Sequence, residues 1–393
     1  MDFQKITPCD SVIFELLKTK YTDTEVQKKL YGLDHLRAFA ICFVFLYHYQ
    51  IPIFAHPEWL TSIAKFGWTG VDLFFVLSGF LISSQLFFNI KNGIKISFKD
   101  FFLKRFFRIL PLFWFVTAIY FLVPAFRERE ALPPLWKLLI FTQNFGLNIQ
   151  DYGTFSHAWS LCVEEHFYLL LPLVLLFLQS TNLFSKSYWI LVALFVFGFI
   201  IRFYSWKILY FPNSGIDNPW LFWSKYIYYP TYNRLDGLLI GVSIAALYQF
   251  SPNVWNRISR FGNEFLIVSL LLLTAAYFLC YEETSFYASV FGFPLVALGY
   301  GFMVLGAISP TSFLYKWNSK TTTFIATLSY GIYLIHKGII HITQQLLQAF
   351  NVDTNSTFTL IICIISCLIV AYILNKTIEK PFMQLRIKIQ QRK

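Results

Sequence analysis

Ten long apolar runs, separated by short polar connections, account for most of the chain after residue 34. A helix needs about 20 apolar residues to cross the hydrocarbon core of a membrane, and each run is close to that length. Only 13% of the 393 residues are charged, well below the share in a soluble domain. The sequence therefore predicts an all-α integral membrane protein with about ten transmembrane helices. The predicted spans are 36–54, 71–89, 107–124, 160–178, 188–206, 230–248, 264–281, 287–308, 324–348 and 357–376.

Basic residues are distributed unevenly over the connections between these spans. With the N-terminus inside, one side of the membrane holds 22 Lys and Arg and the other holds six. Basic residues collect on the cytoplasmic side, so we expect both termini in the cytoplasm. The net charge of +11 then indicates membrane lipid rather than nucleic acid as a partner. Three parts are expected: a polar segment 1–34, a membrane domain 35–380 and a basic tail 381–393.

The six cysteines have neither the spacing of a zinc site nor that of a disulfide framework. Most lie inside apolar runs, where a cysteine behaves as a small buried hydrophobic residue. No metal site is predicted.

The first span carries two ionisable side chains, which are costly in lipid and therefore candidates for function. Arg37 and His48 are eleven residues apart, about three turns plus 20°, so both point the same way. The rise of about 16 Å puts Arg37 at the cytoplasmic mouth and His48 towards the outer half. A guanidinium suits phosphate, and an imidazole suits proton abstraction. A snorkelling arginine and a packing histidine would give the same pattern.

The second span opens with Asp72, at a depth comparable to that of His48, where a carboxylate would be able to orient the imidazole. Ser78 and Gly79 follow in the same span. Small residues of this kind are typical of close helix packing, and packing is the simpler interpretation of Ser78.

A basic cluster lies at the inner entrance of the third span. Arg105 and Arg108 are three residues apart and share a helix face. Two guanidinium forks at a membrane surface suit a polyphosphate ligand. Anchoring to anionic lipid is the alternative, which these residues alone favour slightly.

The fourth span opens with two histidines and two adjacent glutamates between residues 157 and 166. We expect one of these glutamates to hydrogen-bond a partner inside the bundle, because packing does not explain so many ionisable groups. Taken singly, a later histidine, His336, is typical of a hydrogen-bonded packing residue. The further candidate site residues are Trp159, Ser160, Tyr168, Arg234, Asp236, Tyr330 and His336.

Together these segments resemble the acyltransferase 3 family, multi-pass membrane O-acyltransferases that modify polysaccharides, lipids and small molecules. The matching motifs come in the family's order and cover about 33–386. His166 stands where the family usually carries Gln, and we expect no esterase-like extracytoplasmic domain in this chain. The motifs are the Arg37-to-His48 spacing, Phe-Phe-x-x-Ser-Gly-Phe at 74–80, Arg-x-x-Arg at 105–108, Trp-Ser-Leu-x-x-Glu-x-x-Phe-Tyr at 159–168, the run at 330–336 and Glu-Lys-Pro-Phe at 379–382.

The resemblance implies an enzyme of the cell inner membrane whose donor is acyl-CoA, most often acetyl-CoA. The donor is a substrate that enters from the cytoplasm, and no permanently bound cofactor is expected. His48 would act as general base, with Glu164 and Asp72 orienting or charge-balancing it. Direct transfer and a covalent acyl-His relay both fit this reading. The residues implied in holding the CoA phosphates are Arg37, Arg105 and Arg108.

The acceptor implied by the family is a hydroxyl of a glycan or glycolipid, such as lipopolysaccharide O-antigen or exopolysaccharide. A lipid or small-molecule acceptor is the alternative within the class. A transporter or flippase for a lipid-linked glycan would also need buried charges, but typically in broken helices arranged as paired halves, which the sequence does not show. A non-catalytic scaffold would leave the His and Glu inside the spans unexplained.

Overall fold

The computed structural model describes residues 30–51, 53–181 and 187–391, and these ranges contain helices and no β-strand. Most of the polar segment 1–34 therefore lies outside the described residues. Ten helices correspond in order to the predicted spans, and a further helix, α11 (Lys380–Gln391), lies in the basic tail. The ten are α1 (Tyr31–Tyr49), α2 (Gly70–Lys91), α3 (Phe98–Leu122), α4 (Trp159–Ser180), α5 (Ser187–Tyr204), α6 (Asp236–Phe250), α7 (Gly262–Leu279), α8 (Phe293–Ile308), α9 (Lys320–Ala349) and α10 (Thr357–Leu374).

Eight stretches of the described chain are long and apolar enough to cross a membrane, and they contain α2 to α5 and α7 to α10. The all-α membrane fold is thus confirmed. The other two helices do not meet this criterion: α1 carries charged residues in its first half, and α6 has only 15 residues. The count of ten spans and the cytoplasmic position of both termini stay predictions.

Helix α1 begins five residues before the predicted start of its span, and the reason is a tertiary contact. His35, in its first turns, is buried beside the start of α9. Its Nδ1 lies 2.7 Å from Thr322 Oγ1, and its Nε2 lies 2.8 Å from the carbonyl oxygen of Trp317. These two hydrogen bonds satisfy the ring nitrogens of His35. A prediction from hydrophobicity alone would have left this polar residue outside the helix.

Helix α2 packs closely along α6 and also contacts α1 and α8. A Cβ at Gly79 would lie 2.3 Å from the carbonyl oxygen of Leu238, and one at Gly241 would lie 2.3 Å from that of Val76. Because only glycine permits backbones this close, the predicted small-residue contact is confirmed at Gly79.

Helix α9 lies between α1 and α10 and is one of the most buried of the long helices. In an apolar stretch of 18 residues within α9, 67% of the residues are buried, against 11% in the corresponding stretch of the span that contains α5. Polar groups in the middle of α9 therefore face protein, whereas α5 exposes most of its surface towards lipid.

Candidate active site

Three histidines from three separate elements meet inside the bundle. His48 lies in the last turn of α1, His157 in the short turn Ser156–Ala158 before α4, and His336 in the middle of α9. The ring centroids are 4.8 Å apart for His48 and His336, 4.7 Å for His157 and His336, and 5.9 Å for His48 and His157. We call these three residues the histidine cluster.

Hydrogen bonds link two members of the cluster. His336 Nε2 lies 3.0 Å from His48 Nδ1, which is also 3.0 Å from the carbonyl oxygen of Val44. The other ring nitrogen, His48 Nε2, makes no hydrogen bond within the described residues. His336 therefore contacts His48 directly, although the sequence alone favoured a packing role for it.

The turn that carries His157 is held by polar contacts with α9. The hydroxyl of Tyr333 donates to the carbonyl oxygen of His157 and lies 2.6 Å from Ser160 Oγ. His157 Nε2 lies 3.3 Å from the carbonyl oxygen of Leu334, so this nitrogen donates. His157 Nδ1 is buried and has no hydrogen-bond partner in the described part of the chain, which leaves one acceptor atom inside the cluster.

A buried ion pair lies beside the histidine cluster, and sequence reasoning missed it. Lys337 Nζ is 3.2 Å from Ser156 Oγ and 3.9 Å from Glu128 Oε1. Glu128 Oε1 also accepts the backbone N–H of Phe155, at 3.1 Å. The signal that would have found Lys337 is its position inside a predicted span, next to His336.

A second polar group lies around three arginines from α1 and α3. Arg37 interacts electrostatically with Arg108, and Arg105 does the same. Within the described residues none of the three has a carboxylate within 4 Å, and Arg105 Nε is buried without a hydrogen-bond partner. The structure thus brings together the three predicted phosphate-binding residues, which we call the arginine cluster, and leaves their guanidinium groups available to an anion.

Glu164 belongs with the arginine cluster, not with His48. Its Oε2 accepts hydrogen bonds from Tyr168 Oη at 2.6 Å and Ser78 Oγ at 3.1 Å. The carboxylate also interacts electrostatically with Arg105 and Arg37. The expectation that Glu164 orients His48 is therefore wrong in its geometry, and Ser78 does more than pack.

Asp72 is bound by an arginine and does not contact His48. Both carboxylate oxygens accept from Arg234 Nη2, at 2.8 and 2.9 Å, and both side chains are buried. The Arg234 guanidinium lies over the rings of Phe293 and Trp159, 4.1 and 5.3 Å from their centroids. The expectation that Asp72 orients His48 is wrong, because this carboxylate neutralises a buried cation instead.

Other predicted site residues tie the helices together. Asp236 accepts from Arg202 Nη1 at 2.6 Å in a third buried ion pair. Tyr330 donates to the carbonyl oxygen of Ile109 at 2.9 Å and joins α9 to α3 next to Arg108. His166 turns away from the histidine cluster: its Nδ1 lies 2.8 Å from Thr231 Oγ1. No group of three or more metal-ligating side chains in the described ranges is arranged to hold a metal ion.

Comparison with known proteins gives concordant matches. A family model described as "Acyltransferase domain" matches residues 30–376. The chain is 28% identical over 354 residues to "Putative peptidoglycan O-acetyltransferase YrhL" of Bacillus subtilis, covering 84% of this chain and 52% of the relative. It is also 28% identical over 384 residues to "Peptidoglycan O-acetyltransferase OatA" of Listeria monocytogenes, covering 92% of this chain and 57% of the relative.

The chain thus spans between half and two thirds of the length of these curated relatives. No solved structure matches it. The family model, by contrast, covers nearly all of the described helices, including both the histidine and the arginine clusters. The chain belongs to the acyltransferase 3 family.

Proposed function

We propose that this protein is an O-acetyltransferase of the cell inner membrane that moves an acetyl group from cytoplasmic acetyl-CoA to a hydroxyl of a cell-envelope glycan. One observation carries the proposal. Arg37 of the arginine cluster and His48 of the histidine cluster lie on one helix, about 16 Å apart by helical rise. Acyl-CoA needs both: cations for its phosphates, and a base near its thioester.

The arginine cluster suits the nucleotide end of the donor. Guanidinium groups bind phosphate in pairs of parallel hydrogen bonds, and these three have no carboxylate partner within 4 Å in the described ranges. The predicted topology puts them on the cytoplasmic side, where CoA is found. The pantetheine arm, when extended, is long enough to carry the thioester from this end towards His48.

The histidine cluster suits the chemical step. His48 Nε2 would take the proton of the acceptor hydroxyl while that oxygen attacks the thioester carbonyl carbon. Collapse of the tetrahedral intermediate breaks the C–S bond, and the sulfur of CoA leaves with the proton from His48. The products are the acetyl ester and free CoA. In an acyl-His relay the same nitrogen would instead carry the acetyl group between two such steps.

The acceptor is the less constrained half of the reaction. The family resemblance led us to expect O-antigen or exopolysaccharide, whereas the names of two relatives point to peptidoglycan. These polymers all offer sugar hydroxyls. Residues 206–229 are rich in Trp, Tyr and Phe, whose rings are able to stack on sugar faces. One of these rings, Trp223, is buried and donates to Ser289 Oγ at 2.8 Å, so it is not available for stacking.

Acetyl transfer by the purified protein in lipid nanodiscs tests the proposal. We expect consumption of labelled acetyl-CoA that depends on an added glycan, with parallel reactions on peptidoglycan strands and lipopolysaccharide to identify the acceptor. A longer acyl-CoA in the same assay reports chain-length preference. Transport of a lipid-linked glycan without thioester cleavage would overturn the proposal in favour of a flippase.

A further inference from the structure

We infer that His336 is a positioning residue that holds His48 in the tautomer whose lone pair lies on Nε2. The inference rests on the proposed function, in which His48 is the general base. It assigns a role to a side chain that sequence alone would interpret as packing.

The first step is the tautomer of His336 itself. Its Nδ1 lies 2.8 Å from the carbonyl oxygen of Tyr333 and 3.2 Å from that of Ile332. A carbonyl oxygen accepts hydrogen bonds and cannot donate, so the hydrogen of the neutral ring is on Nδ1. The opposite nitrogen, His336 Nε2, therefore presents a lone pair.

The second step carries this constraint across to α1. His48 Nδ1 lies 3.0 Å from Nε2 of His336, which carries the lone pair, and 3.0 Å from the carbonyl oxygen of Val44. Both partners are acceptors, so the hydrogen of His48 is on Nδ1 and the lone pair is on Nε2. The opposite tautomer would place a lone pair against two acceptors and lose both hydrogen bonds.

The third step concerns the charged form that general-base catalysis creates. When His48 Nε2 takes a proton, its Nδ1–H keeps both acceptors, so the imidazolium is stabilised without rearrangement. This requires His336 to stay neutral, because a proton on its Nε2 would set two donors against each other. The buried ammonium group of Lys337 interacts electrostatically with His336 and makes a second positive charge there unfavourable.

The other groups that face the pair do not compete for its hydrogen bonds, although the Lys337 ammonium acts electrostatically on His48 as well as on His336. His157 directs its Nε2 to the carbonyl oxygen of Leu334 and does not bond either ring nitrogen of His48. Glu128 is paired with Lys337. The arrangement follows a general rule: a catalytic or metal-binding imidazole is oriented by the hydrogen bond that its non-reacting ring nitrogen makes.

Kinetics separate a positioning role from a packing role. In His336→Leu we expect kcat to fall about 100-fold, with little change in KM for acetyl-CoA, because the donor is held by the arginines. In His336→Gln the side-chain amide oxygen can accept from His48 Nδ1, so at least about a tenfold recovery over Leu is expected. The control is His341→Gln on the same helix, whose ring bonds only Gln345 in the described part.

Nitrogen NMR of the ¹⁵N-histidine-labelled protein reads the tautomer directly. Signals of His48 are those missing from His48→Ala. We expect a protonated Nδ1 and an unprotonated Nε2 in the wild type, and some Nε2-protonated form in His336→Leu. A wild-type His48 protonated on Nε2 would overturn the inference, as would His336→Leu with full kcat. If the wild type transfers no acetyl group, the proposed function fails, while the spectrum still decides the tautomer.

Discussion

Arg234 and Arg105 are arginines inside the same bundle, yet their partners differ. Arg234 is fully enclosed, with Asp72 at hydrogen-bond distance and aromatic rings around its guanidinium. Arg105 has no carboxylate within 4 Å in the described ranges and keeps a buried Nε without a partner. Both guanidinium groups keep buried nitrogens without a hydrogen-bond partner in the described residues, Nε and Nη1 in Arg234 and Nε in Arg105. Burial makes both charges costly, but only the second is not neutralised by a carboxylate. Residues of the second kind are the ones to test for ligand binding.

His48→Ala should lower acetyl transfer by about 10²–10⁴-fold, the usual contribution of a general base. The variant should still fold, because His48 is half-buried and its removal leaves no buried charge without a partner. Turnover in nanodiscs measures the first effect, and size-exclusion elution in detergent checks the second. His56→Ala serves as control, since among the described residues this ring bonds only the nearby carbonyl oxygen of Phe54. Wild-type turnover in His48→Ala would remove the residue from the mechanism.

Replacing Arg105 and Arg108 together with Gln should raise KM for acetyl-CoA at least about tenfold. Each lost charge-assisted hydrogen bond to phosphate weakens binding by about 1.5–3 kcal/mol. KM for the acceptor should stay unchanged, because sugar hydroxyls do not need these cations.

The matched control is the pair Arg257→Gln and Arg260→Gln, which are exposed and predicted on the same side of the membrane. If the two double variants lower expression equally and leave KM for acetyl-CoA unchanged, the arginine cluster anchors the protein to lipid and does not bind the donor.

At the scale of elements, α2 and α6 form a closely packed pair. Glycines bring their backbones into contact, and the ion pair between Asp72 at the start of α2 and Arg234, just before α6, joins them at one end. Helices α1, α3 and α9 and the turn before α4 supply the two polar clusters. The ion pairs of Asp72 and Asp236 thus lie on other elements than the two clusters, whereas Lys337 shares α9 with His336.

Asp72→Asn should destabilise the protein by about 3–5 kcal/mol, since it leaves the charge of Arg234 buried and uncompensated. Thermal unfolding in detergent measures the loss, and Asp72→Asn combined with Arg234→Met should recover much of it. A variant with unchanged thermal stability and no activity would instead place Asp72 in the chemistry, as the sequence led us to expect.

At the scale of the whole molecule, the two clusters predict that donor and acceptor meet from opposite sides of the membrane. The arginine cluster lies at the predicted cytoplasmic end, and His48 lies about 16 Å further along α1. Glu164 marks the donor end rather than the outer one, because the structure places it with the arginines.

In inside-out vesicles, external acetyl-CoA should be consumed only when acceptor glycan is trapped in the lumen. Release of free CoA into the medium and acetyl ester in the lumen are the two readouts. Vesicles that contain His48→Ala control for leakage and for spontaneous hydrolysis. Equally fast modification of acceptor confined to the outside of such vesicles would place the chemistry on the cytoplasmic face.

Much of the fold was predictable because lipid imposes a length and a composition on every helix that crosses it. The start of α1 was not, since His35 is held inside the helix by Trp317 and Thr322, far along the chain. Likewise α6 begins at Asp236, six residues after the predicted start of its span, because a short turn follows Pro230.

The sequence predicted how deep each candidate site residue lies along its helix, but not which residues of other helices it contacts. Arg37, Arg105 and Arg108 share a depth, and they do meet. Which helices are neighbours cannot be read from one sequence, so Asp72 and Glu164 were assigned to the wrong partner. For the same reason the contact between His48 and His336, 288 residues apart, was not foreseen.

The ion pair between Asp72 and Arg234 also has a consequence for membrane insertion during synthesis, because Asp72 is made well before its partner. The two residues are 162 positions apart. At about 5–20 residues per second the carboxylate therefore waits about 8–32 s for its partner to be made. Arg202 and Asp236, only 34 positions apart, have no comparable delay. During that interval α2 has to remain beside the insertion machinery, or its carboxyl group has to stay protonated, because lipid alone would strongly disfavour the lone charge.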